Sequence, residues 1–461
     1  MKTHKSFEES SEQNRNKLIL QVVSLSIVIF GYSSILGYKH SLRFKPEIIF
    51  GTLANLPLTQ NVLLNIELSG LILSSLISGY WMDKFGRKFT LSIAVIGFYV
   101  CSLAISSQLN TILLMVIQFL SGISSSLIVN IRTLSTEICP EKLKAKTIGL
   151  FTFLYTLGTI TGAVLRLNWD NSPDVSLLNN EFALPIGVMG ITSAAAVSFF
   201  IAETLKSKQK IVCLGNIGNK ESFQQFEDEV DPDFERLFGP DEKQHLKQVC
   251  KVFTSRNLLL MLIVSVCYAI VLTITASLVL TTTRISSASG GWLVSPIATN
   301  WFFLLAAASV LLTQLLFQPK LVKKCNEHIC LSIASFAATF SFGGIALSYL
   351  TLAPIKADIL VVISWYLLIL GFSSIQIILL SVQRLINDAV GGKIRGKVNG
   401  LVVSACELTK LIAITTASDL IREDYSNGEL DSWIFRITFG LASALSFIAF
   451  ACLRKLEVFE C

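Results

Sequence analysis

The sequence predicts an all-α integral membrane protein with twelve transmembrane helices in two pseudo-symmetric bundles of six. Three observations predict it. Of 461 residues, 52% are hydrophobic and only 15% charged, with a mean hydropathy of +0.62, against about 25% charged in an ordinary soluble domain. Uncharged runs recur along the whole chain at the length a helix needs to cross a bilayer, ~20 residues. A central hydrophilic stretch divides these runs six and six.

The spans follow in order. Residues 18–38 are uncharged. They follow a polar start and lack a small-residue cleavage site, so a retained first helix is expected rather than a signal peptide. Phe89 to Ile131 is uncharged for 43 residues, two crossings turning at Ser106–Asn110. The others lie at 61–82, 147–165, 182–202, 258–280, 297–318, 329–351, 359–382, 398–420 and 432–453. Each is continuously apolar, which fits helices and not the alternating ~10-residue strands of a barrel. The domains expected are a cytoplasmic start (1–17), a first bundle (18–202), a cytoplasmic loop (203–256), a second bundle (257–453) and a tail (454–461).

Orientation follows from basic residues. Of 38 Lys and Arg, 29 fall in one alternate set of segments, the set holding both ends. Cytoplasmic residues carry that excess, so both termini are expected in the cytoplasm, the plasma membrane being the expected location. The net charge of +6 reflects this bias and attraction to anionic lipid; no basic stripe suggests a nucleic-acid partner. Ten cysteines and four scattered histidines show neither a disulfide framework nor metal-ligand spacing. No cofactor is expected, and no nucleophile or phosphate-cradling constellation points to an enzyme. In the loop, Gln244–Phe253 has the pattern of an amphipathic surface helix, and the acidic run near Glu227 that of a solvated face.

The halves are repeats. Glu137–Leu150 aligns without gaps to Asp388–Leu401, keeping the acid, the bases at Lys142, Lys144 and Lys146 against Lys393, Arg395 and Lys397, and the glycine at Gly149 and Gly400. Two six-helix repeats around a central loop are a transporter architecture. Between spans 2 and 3 the chain reads Gly79-Tyr80-Trp81-Met82-Asp83-Lys84-Phe85-Gly86-Arg87-Lys88. Gly79 permits close helix contact, Gly86 a tight turn; Asp83 suits the positive end of a neighbouring helix and Arg87 a carboxylate. This segment resembles the signature loop of the major facilitator superfamily. The resemblance implies that Asp83 and Arg87 latch the two halves on the cytoplasmic side, with Gly79, Gly86 and Lys88 shaping the loop. The second-half counterpart, Leu321–His328, lacks the acid and both glycines, so the latch is expected on one side.

Within that superfamily the chain is most similar to facilitative hexose transporters, the sugar porters, over roughly 20–450. Glu137-x6-Lys144 and Asp388-x6-Arg395-Gly396 resemble that family's paired loops. Opposite charges seven apart on one cytoplasmic helix would share a face, and the resemblance implies an ion-pair network that opens and closes. The pocket departs from the family. Thr156 stands at the glutamine of span 5, and Leu258–Leu280 has no amide side chain. Span 10 runs from Trp365 to Gln376 without proline, and span 4 has Gln118 at an arginine position. Amide groups hold sugar hydroxyls as donor and acceptor together, so their loss speaks against ordinary hexoses.

Charges inside spans are costly and read as functional. Glu407 and Lys410 lie three apart on span 11, either a substrate site or a structural pair. Glu67 in span 2 reads as a proton-coupling acid or a solvated mouth residue. Span 1 has no acid, which favours uncoupled flux. Thr156, Trp365, Gln376, Glu407 and Lys410 are thus the candidate substrate contacts. The expectation is a transporter of a small polar solute (sugar, polyol or organic acid) by alternating access. An organic-ion carrier and a non-transporting sensor stand as alternatives. Oligomeric state is not legible.

Overall fold

The computed structural model describes residues 2–42, 56–106, 111–138, 141–169, 175–201, 255–282, 302, 305–306, 308–313, 327–351, 357–390, 394–425 and 432–456. The central loop, apart from Ser255 and Arg256, and the second-half counterpart of the signature loop up to Asn326 lie outside them. Among the described residues the chain is entirely helical: α1 (Lys2–Leu42), α2 (Leu56–Phe85), α3 (Arg87–Ser106), α4 (Thr111–Ser124), α5 (Leu127–Ile138), α6 (Glu141–Trp169), α7 (Val175–Phe200), α8 (Arg256–Thr282), α9 (Glu327–Thr351), α10 (Ala357–Ala389), α11 (Arg395–Tyr425) and α12 (Ser432–Arg454). Together α4 and α5 form span 4, and the pieces at 305–306 and 308–313 belong to span 8. Among the described residues nine helices are long and apolar enough to cross a membrane, and two shorter apolar stretches, Thr147–Thr159 and Pro185–Phe200, lie in α6 and α7, in keeping with the twelve-helix fold.

In a bilayer every backbone polar group has to be satisfied inside its own helix. Side-chain hydroxyls follow the same rule: Ser75, Thr133 and Thr275 each donate to the carbonyl four residues back. Large apolar side chains such as Ile112, Ile191, Phe199 and Phe336 point outward, as lipid-facing residues do. Inside, each half has its own core. One gathers Leu25, Phe98, Leu134 and Phe151, the other Val264, Phe342, Ile378 and Phe435. Between them stands a three-residue seam, Met82, Val129 and Val403.

Two breaks differ from simple spans. Span 4 is interrupted at Ser125 and Ser126. There Ser125 Oγ bonds the Ser121 carbonyl at 2.9 Å and Ser126 N tightens to an i−3 bond with Ile123, the hydroxyl competing with the helix's own ladder. Span 4 then continues to Ile138, past the expected boundary at Ile131. The second break is Gly86 at φ 106° between α2 and α3, a conformation that only glycine adopts without strain.

The halves meet where α2 packs on α11 and where α5 packs on α10 and α11. Small residues make this possible. A Cβ on Gly79 would lie 2.5 Å from the Gly396 carbonyl oxygen, and one on Gly400 would strike the Ser75 carbonyl. Gly79→Val is therefore expected to hold α2 and α11 apart while leaving both cores intact. At the usual overpacking cost of about 1–3 kcal/mol the closed contact weakens at least fivefold. Flux should fall with little change in melting temperature; unaltered flux would show the close approach to be dispensable.

Candidate functional site

Two polar clusters lie on the paths between the halves. The first is the loop at Asp83. Arg87, fully buried, donates from Nη1 to Asp83 Oδ1 at 2.5 Å and from Nε and Nη2 to the two Glu137 oxygens at 3.4 and 3.3 Å. Asp83 also accepts the backbone N–H groups of Gly396 at 3.2 Å and Lys397 at 2.9 Å. These are orphan donors at the start of α11, where the helix dipole favours a negative charge. Arg395 Nη1 stands 3.7 Å from Glu137 Oε1. One first-half acid thus binds the second half's backbone, and another faces its arginine. Lys88 Nζ donates to the Ser198 carbonyl at 2.6 Å, capping the end of α7. Beside the ions, Asn399 Nδ2 bridges Thr133 Oγ1 at 2.9 Å and Asn387 Oδ1 at 2.8 Å.

The expected pairing of charges seven apart is corrected here. Glu137 ends α5 and Lys144 lies on α6, its side chain outside the described residues. Asp388 and Arg395 likewise sit on different helices, α10 and α11. Pro140 and the Gly391-Gly392 pair in the sequence disfavour one continuous helix. Glu137 turns to Arg87 and Arg395, whereas Asp388 lies 3.6 Å from Arg384 on its own helix.

The second cluster lies deeper. Lys410 Nζ donates to Glu407 Oε1 at 2.7 Å; Glu407 is buried and the lysine side chain is 31% exposed. At 1.5 Å per residue Glu407 lies about 18 Å along α11 from Arg395. Tyr155 on α6 is within electrostatic reach of Lys410, Glu407 and Arg132, and its ring lies 6.4 Å from that of Tyr32 on α1. Tyr32 bonds the Ser125 side chain at the break in span 4. Arg132 was missed by sequence reasoning: adjoining a long uncharged run, it looks like the first basic residue of a loop, yet α5 carries it. Its signal was the helical run continuing from Leu127 to Ile138.

The remaining candidates divide. Thr156 stands at the same 251-residue repeat offset from Glu407 as the paired loops do, but its hydroxyl donates at 3.0 Å to Thr152 in its own helix. Trp365 packs on Phe302 with ring centroids 4.8 Å apart. Its buried indole N–H has no hydrogen-bond partner among the described residues. Gln376 is half-buried on α10. Glu67 does not sit at a solvated mouth: it is buried, and Gln118 Nε2 donates to its Oε2 at 2.6 Å. A separate cavity of about 310 Å³, lined by Ile274, Leu278, Ile412, Ile437 and Leu441, opens on the outside of the second bundle and brings no charged group. Among the described residues no three His, Cys, Asp or Glu side chains gather as a metal site.

The sequence profile of the Major Facilitator Superfamily matches residues 20–414. The chain belongs to the major facilitator superfamily. Solved superfamily members and relatives share its fold. The proton:xylose symporter XylE bound to 6-bromo-6-deoxy-D-glucose superposes with a TM-score of 0.68 at 14% identity, over 96% of this chain and 97% of that one. A bacterial homologue of the iron transporter ferroportin gives 0.65 at 13%, over 95% and 98%. The human organic anion transporter MFSD10 gives 0.63 at 13%, over 95% and 99%. At such identities the likeness is one of fold alone. In sequence, the 4-hydroxybenzoate transporter PcaK of Acinetobacter baylyi (strain ATCC 33305 / BD413 / ADP1) is 31% identical over 103 residues, 22% of this chain. The chain matches only 22% of that relative's length. This superfamily member is thus a multi-pass membrane protein of a transporter family whose members move small solutes.

Proposed function

We propose that the protein carries organic anions, aromatic carboxylates among them, across the plasma membrane by alternating access, with both termini in the cytoplasm. The observation that carries this reading is the Lys410–Glu407 pair deep in α11, with Arg132 and Tyr155 around it. Two cations face one acid, which leaves room for one negative charge on the solute. Lys410 can exchange its internal carboxylate for that of the substrate, a swap that avoids leaving a charge bare in low dielectric. Tyr32 and Tyr155 offer rings to an aromatic body. The likeness to PcaK over 103 residues supports the same class. A hexose reading lacks the amide groups that hydroxyls need.

The Asp83, Arg87 and Glu137 cluster with the start of α11 is the cytoplasmic latch of this reading, and Gly79, Gly86 and Lys88 shape it. The test is uptake into proteoliposomes of labelled 4-hydroxybenzoate, its uncharged methyl ester and D-glucose. Saturable uptake of the acid alone, competed by other aromatic acids, is expected. Saturable glucose uptake unaffected by the acid would overturn the assignment, and the absence of any flux from folded protein would favour a sensor.

A further inference from the structure

The carboxyl of Glu67 is bonded by Gln118, a residue that belongs to neither the latch nor the anion site. Two glycines allow this contact. A Cβ on Gly122 would strike the Glu67 carbonyl and one on Gly70 the Phe119 carbonyl, so α2 and α4 touch, and Glu67 meets Gln118 at 2.6 Å with both side chains at least 93% buried. An ionisable side chain buried inside a membrane span marks a functional site by default, and proton relays are among its uses.

We propose that Glu67 carries the proton of a proton:anion symport, one proton entering with each monocarboxylate. This rests on the organic-anion reading above. Gln118 of α4 bonds Glu67, and Tyr32 of α1 lies within its electrostatic reach. Tyr32 also lies within electrostatic reach of Glu407 on α11 and of Tyr155, which in turn reaches Lys410 and Arg132. On α3, Tyr99 is engaged with Ser193 of α7. Tyr32 is thus within electrostatic reach of both the acid on α2 and Glu407 of α11. An anion at Lys410 adds a negative charge to a region that already holds Glu67 and Glu407, and like charges disfavour one another's ionised forms. A proton from the outer solution therefore binds the Glu67 carboxylate when the anion binds. Once the anion leaves on the cytoplasmic side, the proton is released there. One proton and one monoanion transfer no net charge, so accumulation follows the pH gradient and ignores membrane potential. The acid missing from span 1 is thereby supplied by span 2.

The experiment uses full-length protein in proteoliposomes and labelled 4-hydroxybenzoate. With acid outside, wild type is expected to accumulate the anion at least tenfold above equilibrium, at an imposed potential of either sign. Glu67→Gln loses that accumulation but still exchanges labelled for unlabelled anion in counterflow, which also reports folding. Gln118→Leu, which removes the 2.6 Å partner of the carboxyl, changes the pH profile of gradient-driven uptake while counterflow persists. Counterflow without gradient-driven accumulation by wild type, or full accumulation by Glu67→Gln, would overturn the symport while leaving the anion reading in place. No wild-type counterflow would overturn both.

Discussion

Asp83→Asn is expected to cut steady-state anion flux at least tenfold and to leave the carrier open to the cytoplasm. The carboxylate of Asp83 accepts two backbone N–H groups at the start of α11 and one guanidinium N–H. An asparagine oxygen can replace only part of this, and it leaves the buried Arg87 with Glu137 as its remaining acid in the cluster. Charge-assisted hydrogen bonds contribute about 1.5–3 kcal/mol each, so losing the equivalent of one shifts the closed state by at least about tenfold. The shift is read by labelling a cysteine placed at Ser404, whose hydroxyl bonds the Ile72 carbonyl at 3.1 Å across the seam. Faster labelling from the cytoplasmic side with reduced flux is the expected pair of results. Unchanged labelling would mean that Asn399 and the close helix contact hold the seam without the ions.

Lys410→Ala should have the larger effect on chemistry. It removes the ammonium proposed to receive the substrate and leaves Glu407 buried without its 2.7 Å partner. Truncating one member of a buried pair costs about 3–5 kcal/mol; partial exposure of the lysine lowers this, and a loss of anion flux of at least about thirtyfold is the conservative expectation. Glu407→Gln should act the other way on binding. With its internal competitor gone, Lys410 holds the anion more tightly, and the half-saturating concentration falls several-fold while release slows. Isothermal titration with 4-hydroxybenzoate separates the two. Equal weakening by both variants would show the pair to be a structural brace rather than a site.

Much of this was written in the sequence, and what was not has physical reasons. Helix number and the Asp83 loop are local properties: apolar run length and a fixed spacing report them directly. The small-residue contact of Gly79 with Gly396 was half visible, because a glycine announces a close approach without naming its partner. The partners of Glu137 were not visible. Seven-residue spacing suggests one helix only if the helix is continuous, and at Pro140 and Gly391-Gly392 that assumption fails. The choice between the two readings of Glu67 was not visible for a different reason: depth along a helix sets distance from the membrane surface, whereas burial is set by which neighbour packs against it. Gln118, read as a lost arginine, is that neighbour. Arg132 was hidden because a charge ending an uncharged run looks the same whether the helix stops or goes on.

The break in span 4 has a mechanical meaning. By parting α5 from α4 at Ser125 and Ser126, the chain frees a lever of 12 residues. Its middle carries Arg132 near Tyr155, its far end carries Glu137 against Arg87 and Arg395, and Thr133, next to Arg132, bonds Asn399. Arg132 and Glu137 are about 7.5 Å apart along its axis. In the proposed carrier, solute contact and inter-half bonding are therefore two loads on one short beam rather than signals passed through a long path. Linkage then requires reciprocity: any change that tightens the Glu137 end against the second half alters solute affinity by the same factor by which bound solute alters that tightening.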